Sequence, residues 1–326
     1  MVALLGLDPG TYKPSALHDP ARTFPETNCY VDVWIELLHA SGINPASALG
    51  FAFRVDFEGD QWTFFKPPSG ELEALYGIDV HEMQLYRPTV EHAVEQLTAG
   101  RTLILEGDSF YLPDTFATSY RCAHVKSSIA IEAIDVANER LRYFHGTGYY
   151  ELSGEDYWGF FRLGRRFSDD VLPPYVDLVR FDAGRRLSGD ELRRVAHELF
   201  RHPLQRPKRN PWTAFGKRLS CDLPKLFAGT DTAYHAYAFA TLRQCGGAFQ
   251  SAQSFIEWLA DPQCGNTRVA LAALERQVDG AKSLLFRLAR RRPFDPAPVI
   301  EQLAEDWQTS VNALHCLSLW SDSGST

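Results

Sequence analysis

The feature that most constrains this chain is a change of hydrophobic period near residue 188. Beyond it, "SGDELRRVAHELF", "TAYHAYAFATLRQCGGAFQSAQSFIEWLA", "TRVALAALERQVDGAKSLLFRLARR" and "PAPVIEQLAEDWQTSVNALHCLSLW" all place apolar residues three and four apart. That spacing gives each segment one buried helical face and leaves nothing from which to build a sheet. The proline-rich, basic stretch "HPLQRPKRNPW" interrupts the helical region near its start.

Before residue 188 the pattern alternates. "NCYVDVWIELLHASG" has Tyr30, Val33, Trp34, Leu37 and Leu38 at helical spacing and Gly42 as its stop. "ALGFAFRVDF" and "QWTFFKPPSG" read as strands around an acidic turn, and "TVEHAVEQLTAG" has the threonine start and glycine end of a helix. "RTLILEGDSFYLPD" reads as a buried strand running into a loop. "HVKSSIAIEAID" and "RLRYFHG" read as a hairpin turning at Val136 to Glu139. These patterns predict an α+β domain over residues 1–165, followed by a basic connector and an all-helical domain over 166–326.

At 326 residues and 45% hydrophobic content the chain can bury a substantial core. Its opening, "MVALLGLDPG", has too short an apolar run for a membrane span and no basic segment of a signal peptide, so a cytoplasmic protein without a membrane partner is expected. Six cysteines lie scattered without close pairs, the pattern of thiols in a reducing compartment. Neither Cys-x-x-Cys nor His-Glu-x-x-His occurs, so no metal site is expected. The formal net charge of −8 disfavours nucleic acid as a partner. Arg185 to Arg218 nevertheless holds ten Lys/Arg against three Asp/Glu, a local +7. Such a segment either docks an acidic partner or is a solvated, arginine-rich helix and linker.

Cys29 falls in the first turn of its helix, behind Thr27 and Asn28, both good caps. Unpaired backbone N–H groups and the helix dipole favour a thiolate there. At 100° per residue it lies beside Asp32 and Glu36, at the border of the apolar stripe. It is a candidate nucleophile or a small apolar residue at a helix start, and a nucleophile needs a base. His124, at the mouth of the strand "HVKSSIAIEAID", is either that base or a surface residue.

A helix-start cysteine, a strand-opening histidine about a hundred residues later and a polar residue ending the next strand resemble the papain-like order of catalytic groups. "TNCYVDVWIELLHASG", "LILEGDSFYLPDT", "HVKSSIAIEAID" and "LRYFHGTGYYELSGEDY" resemble the amino-terminal family of butirosin-biosynthesis acyltransferases. They are more similar still to an uncharacterised bacterial family associated with amino acid:carrier-protein ligases. The resemblance spans Phe24 to Leu163 and implies a papain-like domain performing thioester chemistry. Cys29 would take an acyl or aminoacyl group from the phosphopantetheine arm of an acidic carrier protein and release it to an amine, with His124 as base and then acid. No cofactor is bound on this reading; the arm is substrate. The family's Asn or Asp at the end of the second strand is replaced here by His145. If Ile134 faces Arg140 across the turn, His145 faces Ile129, five residues from His124, and only a bulge or shorter pairing brings the two together. Asp108 is placed by the resemblance near the cleft, to bind a substrate amine or brace the histidine, or it is a turn residue. Tyr111 follows it as a substrate contact, and Asn28 is a candidate helper of the oxyanion. Two other classes stay open: a cysteine peptidase, amidase or thioesterase of the same fold, and a non-catalytic protein that binds carrier proteins.

Overall fold

A computed structural model describes residues 1–164, 172–204 and 209–317, apart from the side chain of residue 203. The chain divides into two compact units. The first comprises Met1–Asp19, Cys29–Pro45 and Leu72–Arg186; the second comprises Pro20–Asn28, Ala46–Glu71 and Leu187–Thr326. An α+β amino-terminal domain with an antiparallel sheet is thus followed by an all-helical carboxy-terminal domain, with two early segments of chain belonging to the helical unit.

In the first unit the elements are β1 (Val2–Ala3), α1 (Cys29–Ala40), α2 (Ser69–Tyr76), β2 (Ile78–Glu82), α3 (Thr89–Thr98), β3 (Thr102–Asp108), β4 (Lys126–Asp135), β5 (Arg140–His145), β6 (Gly148–Ser153), α4 (Glu155–Phe160) and β7 (Val176–Phe181), α2 straddling the division. The strands form one sheet in the order β2-β7-β3-β4-β5-β6, with β1 added to β4, and every pairing is antiparallel. Where the sequence puts the end of this domain at 165, the sheet takes in β7 further on, hydrogen-bonded between β2 and β3.

The β4–β5 hairpin forms as its alternation requires, with Glu139 at φ +52° in the turn. Asp135 pairs with Arg140 and Ile134 with Leu141, one residue from the expected register. A β-bulge between the Ile131–Tyr143 and Ala133–Arg142 pairs then shifts the register by one. Glu132 is the extra residue. Its Oε1 accepts the N–H groups of Leu5 and Gly6, each at 2.7 Å, and its Oε2 accepts the Tyr149 hydroxyl, so the bulged side chain fastens the amino-terminal segment to the sheet. One sheet face is closed by an apolar cluster that includes Ile129, Ile131, Tyr143, Val90 and Ala93 of α3, and Tyr157 and Phe160 of α4.

The second unit contains α5 (Gly189–Leu204), α6 (Pro211–Ala228), α7 (Asp231–Ala238), α8 (Gln244–Leu259), α9 (Gly265–Ala289) and α10 (Ala297–Leu314), with a π-helical turn, Phe239–Arg243, joining α7 to α8. The expected break at "HPLQRPKRNPW" lies partly outside the described residues. Its end starts α6, where Asn210 caps the N–H groups of Trp212 and Thr213 and Pro211 fills the first turn. The two strands expected in "ALGFAFRVDF" and "QWTFFKPPSG" do not form. Pro45–Arg54 is a 3₁₀ run, and Phe57 and Trp62 make a single isolated bridge. Their aromatic residues alternate because they plug the helical core: Trp62 packs on Trp212, Phe215 and Phe249, and Phe53 on Phe200. Burial against helices overrides strand propensity here. No helix among the described residues is long and apolar enough to cross a membrane.

Candidate functional site

Cys29 is the first residue of α1, and its Sγ donates to the Oγ of Ser128 on β4 at 3.5 Å. Cross-strand partners share a sheet face and successive residues alternate between faces. Glu106 pairs with Ser128 and Asp108 with Lys126, so these four share the face that Cys29 meets. Asp177 pairs with Ile104 and joins them.

Along this face two charged pairs follow one another. Lys126 Nζ donates to Glu106 Oε1 at 2.6 Å. Just beyond the strand, the Nδ1 of His124 lies 2.6 Å from Asp108 Oδ2, while Asp108 Oδ1 accepts the N–H of Phe110 at 3.0 Å. The His124 ring stacks on Phe110 with centroids 4.5 Å apart, and its side chain is 69% exposed. Asp108 thus holds the His124 ring through Nδ1. With Nδ1–H held by the carboxylate, Nε2 is the basic nitrogen. Cys29 and His124 share a face but make no hydrogen bond with each other. His124 is four residues from Ser128, about 13 Å along the strand at about 3.3 Å per residue.

Deeper on the same face, the hydroxyls of Tyr30 and Tyr175 donate to the two oxygens of Asp177 at 2.8 and 2.9 Å. Burial, with the Asp177 carboxylate beside it, raises the Tyr30 phenol well above its ordinary range. Burial and the hydrogen bond to Asp177 push Tyr175 up to about 12.

His145 lies elsewhere. It follows Tyr143 by two residues and so shares that residue's face, the face of Ser127, Ile129 and Ile131, opposite Cys29. Its Nε2 is 2.6 Å from Ser127 Oγ and its Nδ1 2.5 Å from Asp114 Oδ2. A bulge is present at Glu132, but it only returns the strands to the expected register instead of carrying His145 toward His124; β5 parts from β4 after the Ala130–Phe144 pair, and alternation turns His145 away from both His124 and Cys29. Tyr111 also packs against the opposite face, over Gly159, where an added Cβ would sit 2.1 Å from the ring. Asn28 is buried, and its side-chain amide donates to the Phe65 carbonyl at 3.0 Å. Of the six residues singled out from sequence, Cys29, Asp108 and His124 are thus associated with one face, while His145 and Tyr111 sit on the other.

The sequence reading missed the buried cluster beneath Cys29. Asp32 and Glu36, three and seven residues on, carry the same helical stripe inward, where His18 Nδ1 is 2.5 Å from Glu36 Oε1 and its Nε2 3.5 Å from Asp32 Oδ1. Glu36 also accepts the hydroxyl of Tyr12 and the N–H of Ser15. Burial is the largest influence on His18 and acts to lower its pKa, but hydrogen bonds and Coulombic attraction from the two carboxylates outweigh it and raise it to about 9. His18 is therefore an imidazolium at neutral pH. Two acids four apart on an otherwise apolar helix were the available signal. Ser127 and Asp114 were missed as well; an inward-facing serine on a strand and an aspartate in a Pro-Asp turn carry little signal until the fold joins them. Among the described residues, no group of three or more His, Cys, Asp or Glu side chains is arranged to hold a metal ion.

Two family descriptions cover most of the chain: the DUF1839 N-terminal domain matches residues 13–181 and the DUF1839 C-terminal domain residues 189–316. The chain belongs to the DUF1839 family. It matches no curated protein.

Proposed function

We propose that this member of the DUF1839 family is a cysteine-dependent acyl or aminoacyl transferase of papain-like design, with Cys29 as nucleophile and His124, oriented by Asp108, as general base and then acid. The observation that carries the reading is the His124–Asp108 contact of 2.6 Å on the sheet face that Cys29 meets. A histidine held through Nδ1 by a carboxylate presents Nε2 as a base, the arrangement a thiol nucleophile needs. The reaction begins when the exposed histidine closes on Cys29 with the thioester in place. With His124 about 13 Å along the strand from Ser128, this step is a rearrangement of the histidine's segment driven by substrate binding, not the tightening of an existing hydrogen bond.

The sulfur of Cys29 attacks the thioester carbonyl, its proton passes through His124 to the departing phosphopantetheine thiol, and the acyl group moves to the enzyme. An amine then attacks the acyl-cysteine, giving an amide and returning the thiol. The donor in this reading is an acidic carrier protein loaded by an amino acid:carrier-protein ligase, in a cytoplasmic setting. Within the basic segment, Arg185 pairs with Glu73, Arg186 with backbone carbonyls, Arg193 with Asp190, Arg194 with Glu198 and Arg218 with Asp222; among the described residues this leaves the exposed Arg201, Arg209 and Lys217 as cations for docking.

The test is intact-mass and peptide mapping after incubation with an aminoacylated, phosphopantetheinylated carrier protein. An acyl adduct on Cys29 is expected, transferred on addition of an amine and slowed by about 10²-fold or more in His124→Ala. An adduct that yields only free acid supports the hydrolase alternative. Carrier binding without an adduct, unchanged in Cys29→Ala, leaves the non-catalytic binding reading in its place.

A further inference from the structure

We propose that Ser127, His145 and Asp114 form a second nucleophilic centre, a serine esterase site for short-chain carboxylic esters, on the sheet face opposite Cys29. The inference stands on its own geometry and does not depend on the role of Cys29. Ser127 Oγ is 2.6 Å from His145 Nε2, and His145 Nδ1 is 2.5 Å from Asp114 Oδ2. Among the described residues, His145 is the one histidine that joins a hydroxyl and a carboxylate through its two ring nitrogens. The carboxylate fixes the proton on Nδ1, which leaves Nε2 to accept the serine proton, the order of roles in a serine hydrolase triad.

Each member is held by a different element. Ser127 lies on β4 opposite Gly107 of β3, His145 ends β5, and Asp114 sits in a 3₁₀ turn, Pro113–Thr115. Asp114 is held from its other oxygen as well, by the Tyr143 hydroxyl at 2.5 Å. Both carboxylate oxygens are therefore occupied, which leaves the imidazole a single orientation. Ser127 and His145 are each 8% exposed and their hydrogen bond is buried, so the proposal restricts the substrate to a slender group. The Phe160 ring lies where a Cβ on Gly107 would be, 2.1 Å from it, and gives the position beside Ser127 an apolar wall. The near-closed approach and the apolar neighbour set the proposed substrate as a small ester with a short apolar acyl group.

In the first step Ser127 Oγ bonds to the ester carbonyl carbon, its proton moves to Nε2, and the carbonyl electron pair moves onto oxygen. Collapse re-forms the carbonyl and breaks the bond to the alcohol oxygen, which takes the proton from Nε2 and leaves as alcohol. Water repeats the sequence on the acyl-serine, giving the carboxylic acid and restoring Ser127. Asp114 stays ionised throughout, facing the imidazolium that forms in each half.

The experiment treats the full-length protein with an alkyl fluorophosphonate and locates the adduct by peptide mapping, with p-nitrophenyl butyrate hydrolysis in parallel. Mapping separates a serine adduct from any thiol reaction. The expected result is a phosphonyl adduct on Ser127 of the folded wild type, formed at least ten-fold more slowly in His145→Gln and Asp114→Asn, with ester hydrolysis lost in Ser127→Ala at unchanged melting temperature. The proposal is overturned if folded wild type carries no adduct on Ser127, or if the adduct forms at the same rate in His145→Gln. The wild-type arm decides even if the variants fold poorly.

Discussion

At the scale of single residues, His18 makes the sharpest claim on a measurement. An imidazolium buried between Asp32 and Glu36, with a pKa raised from 6.5 to about 9, binds its proton more tightly folded than unfolded. Its contribution is fully present below pH 6.5 and is lost as pH rises through about 9. The shift corresponds to about 3 kcal/mol. Thermal melts from pH 6 to 10 are expected to show the midpoint falling across that window, with the fall much reduced in His18→Gln. A melting temperature that is flat over the window would show that His18 is not charged in the folded protein. Cys29, at the outer end of the same stripe, makes a different prediction. If His124 activates it before substrate binds, peptide-resolved alkylation from pH 5 to 9 finds Cys29 the fastest of the six thiols and loses that advantage in His124→Ala. With His124 at rest on Asp108, about 13 Å along the strand from Ser128, the expected outcome is that the advantage emerges only with a thioester analogue bound.

At the scale of elements, the bulge in β4 is the point where one residue organises several others. Glu132→Ala leaves the N–H groups of Leu5 and Gly6 and the hydroxyl of Tyr149 without their acceptor. Each such loss costs about 1 kcal/mol or more, so denaturant unfolding is expected to show a loss of about 3 kcal/mol, with Glu132→Gln intermediate. The same element shows what was legible in the sequence. Strict alternation made the β4–β5 hairpin readable, and helical spacing did the same for α1, α3 and the carboxy-terminal helices. A bulge leaves no mark on composition, so the one-residue offset between the turn and the rest of the hairpin was not legible, although beyond the bulge the strands return to the expected register, with His145 on the face of Ile129. The papain-like reading set His145 beside His124, as the third group of the Cys29 site, across a sheet that separates them. The aromatics of "FAFRVDF" and "QWTFF" alternate as a strand's would, because periodicity records which residues are buried and not what buries them. In α1 the apolar stripe was plain, yet burial runs unbroken from Tyr30 to Leu38. Asp32 and Glu36 are tolerated inside only because His18, Tyr12 and Ser15 come to them from a distant stretch of chain.

At the scale of the whole molecule, the two units are not two halves of the chain. The backbone passes between them five times, after residues 19, 28, 45, 71 and 186. A fragment of residues 187–326 lacks Trp62, which packs on Trp212, Phe215 and Phe249, and Phe53, which packs on Phe200. That fragment is expected to keep helical circular dichroism but to melt without a cooperative transition, and a chain joining residues 46–71 to it is expected to recover one. A sharp transition in the shorter fragment would show that the aromatic segment is dispensable. The interleaving also sets a timetable. Residues 46–71 emerge from the ribosome more than a hundred residues before the helices they join. At about 5–20 residues per second they wait several seconds or longer with Phe51, Phe53, Trp62 and Phe65 uncovered, and translation speed through the intervening sheet becomes part of how this protein avoids aggregation.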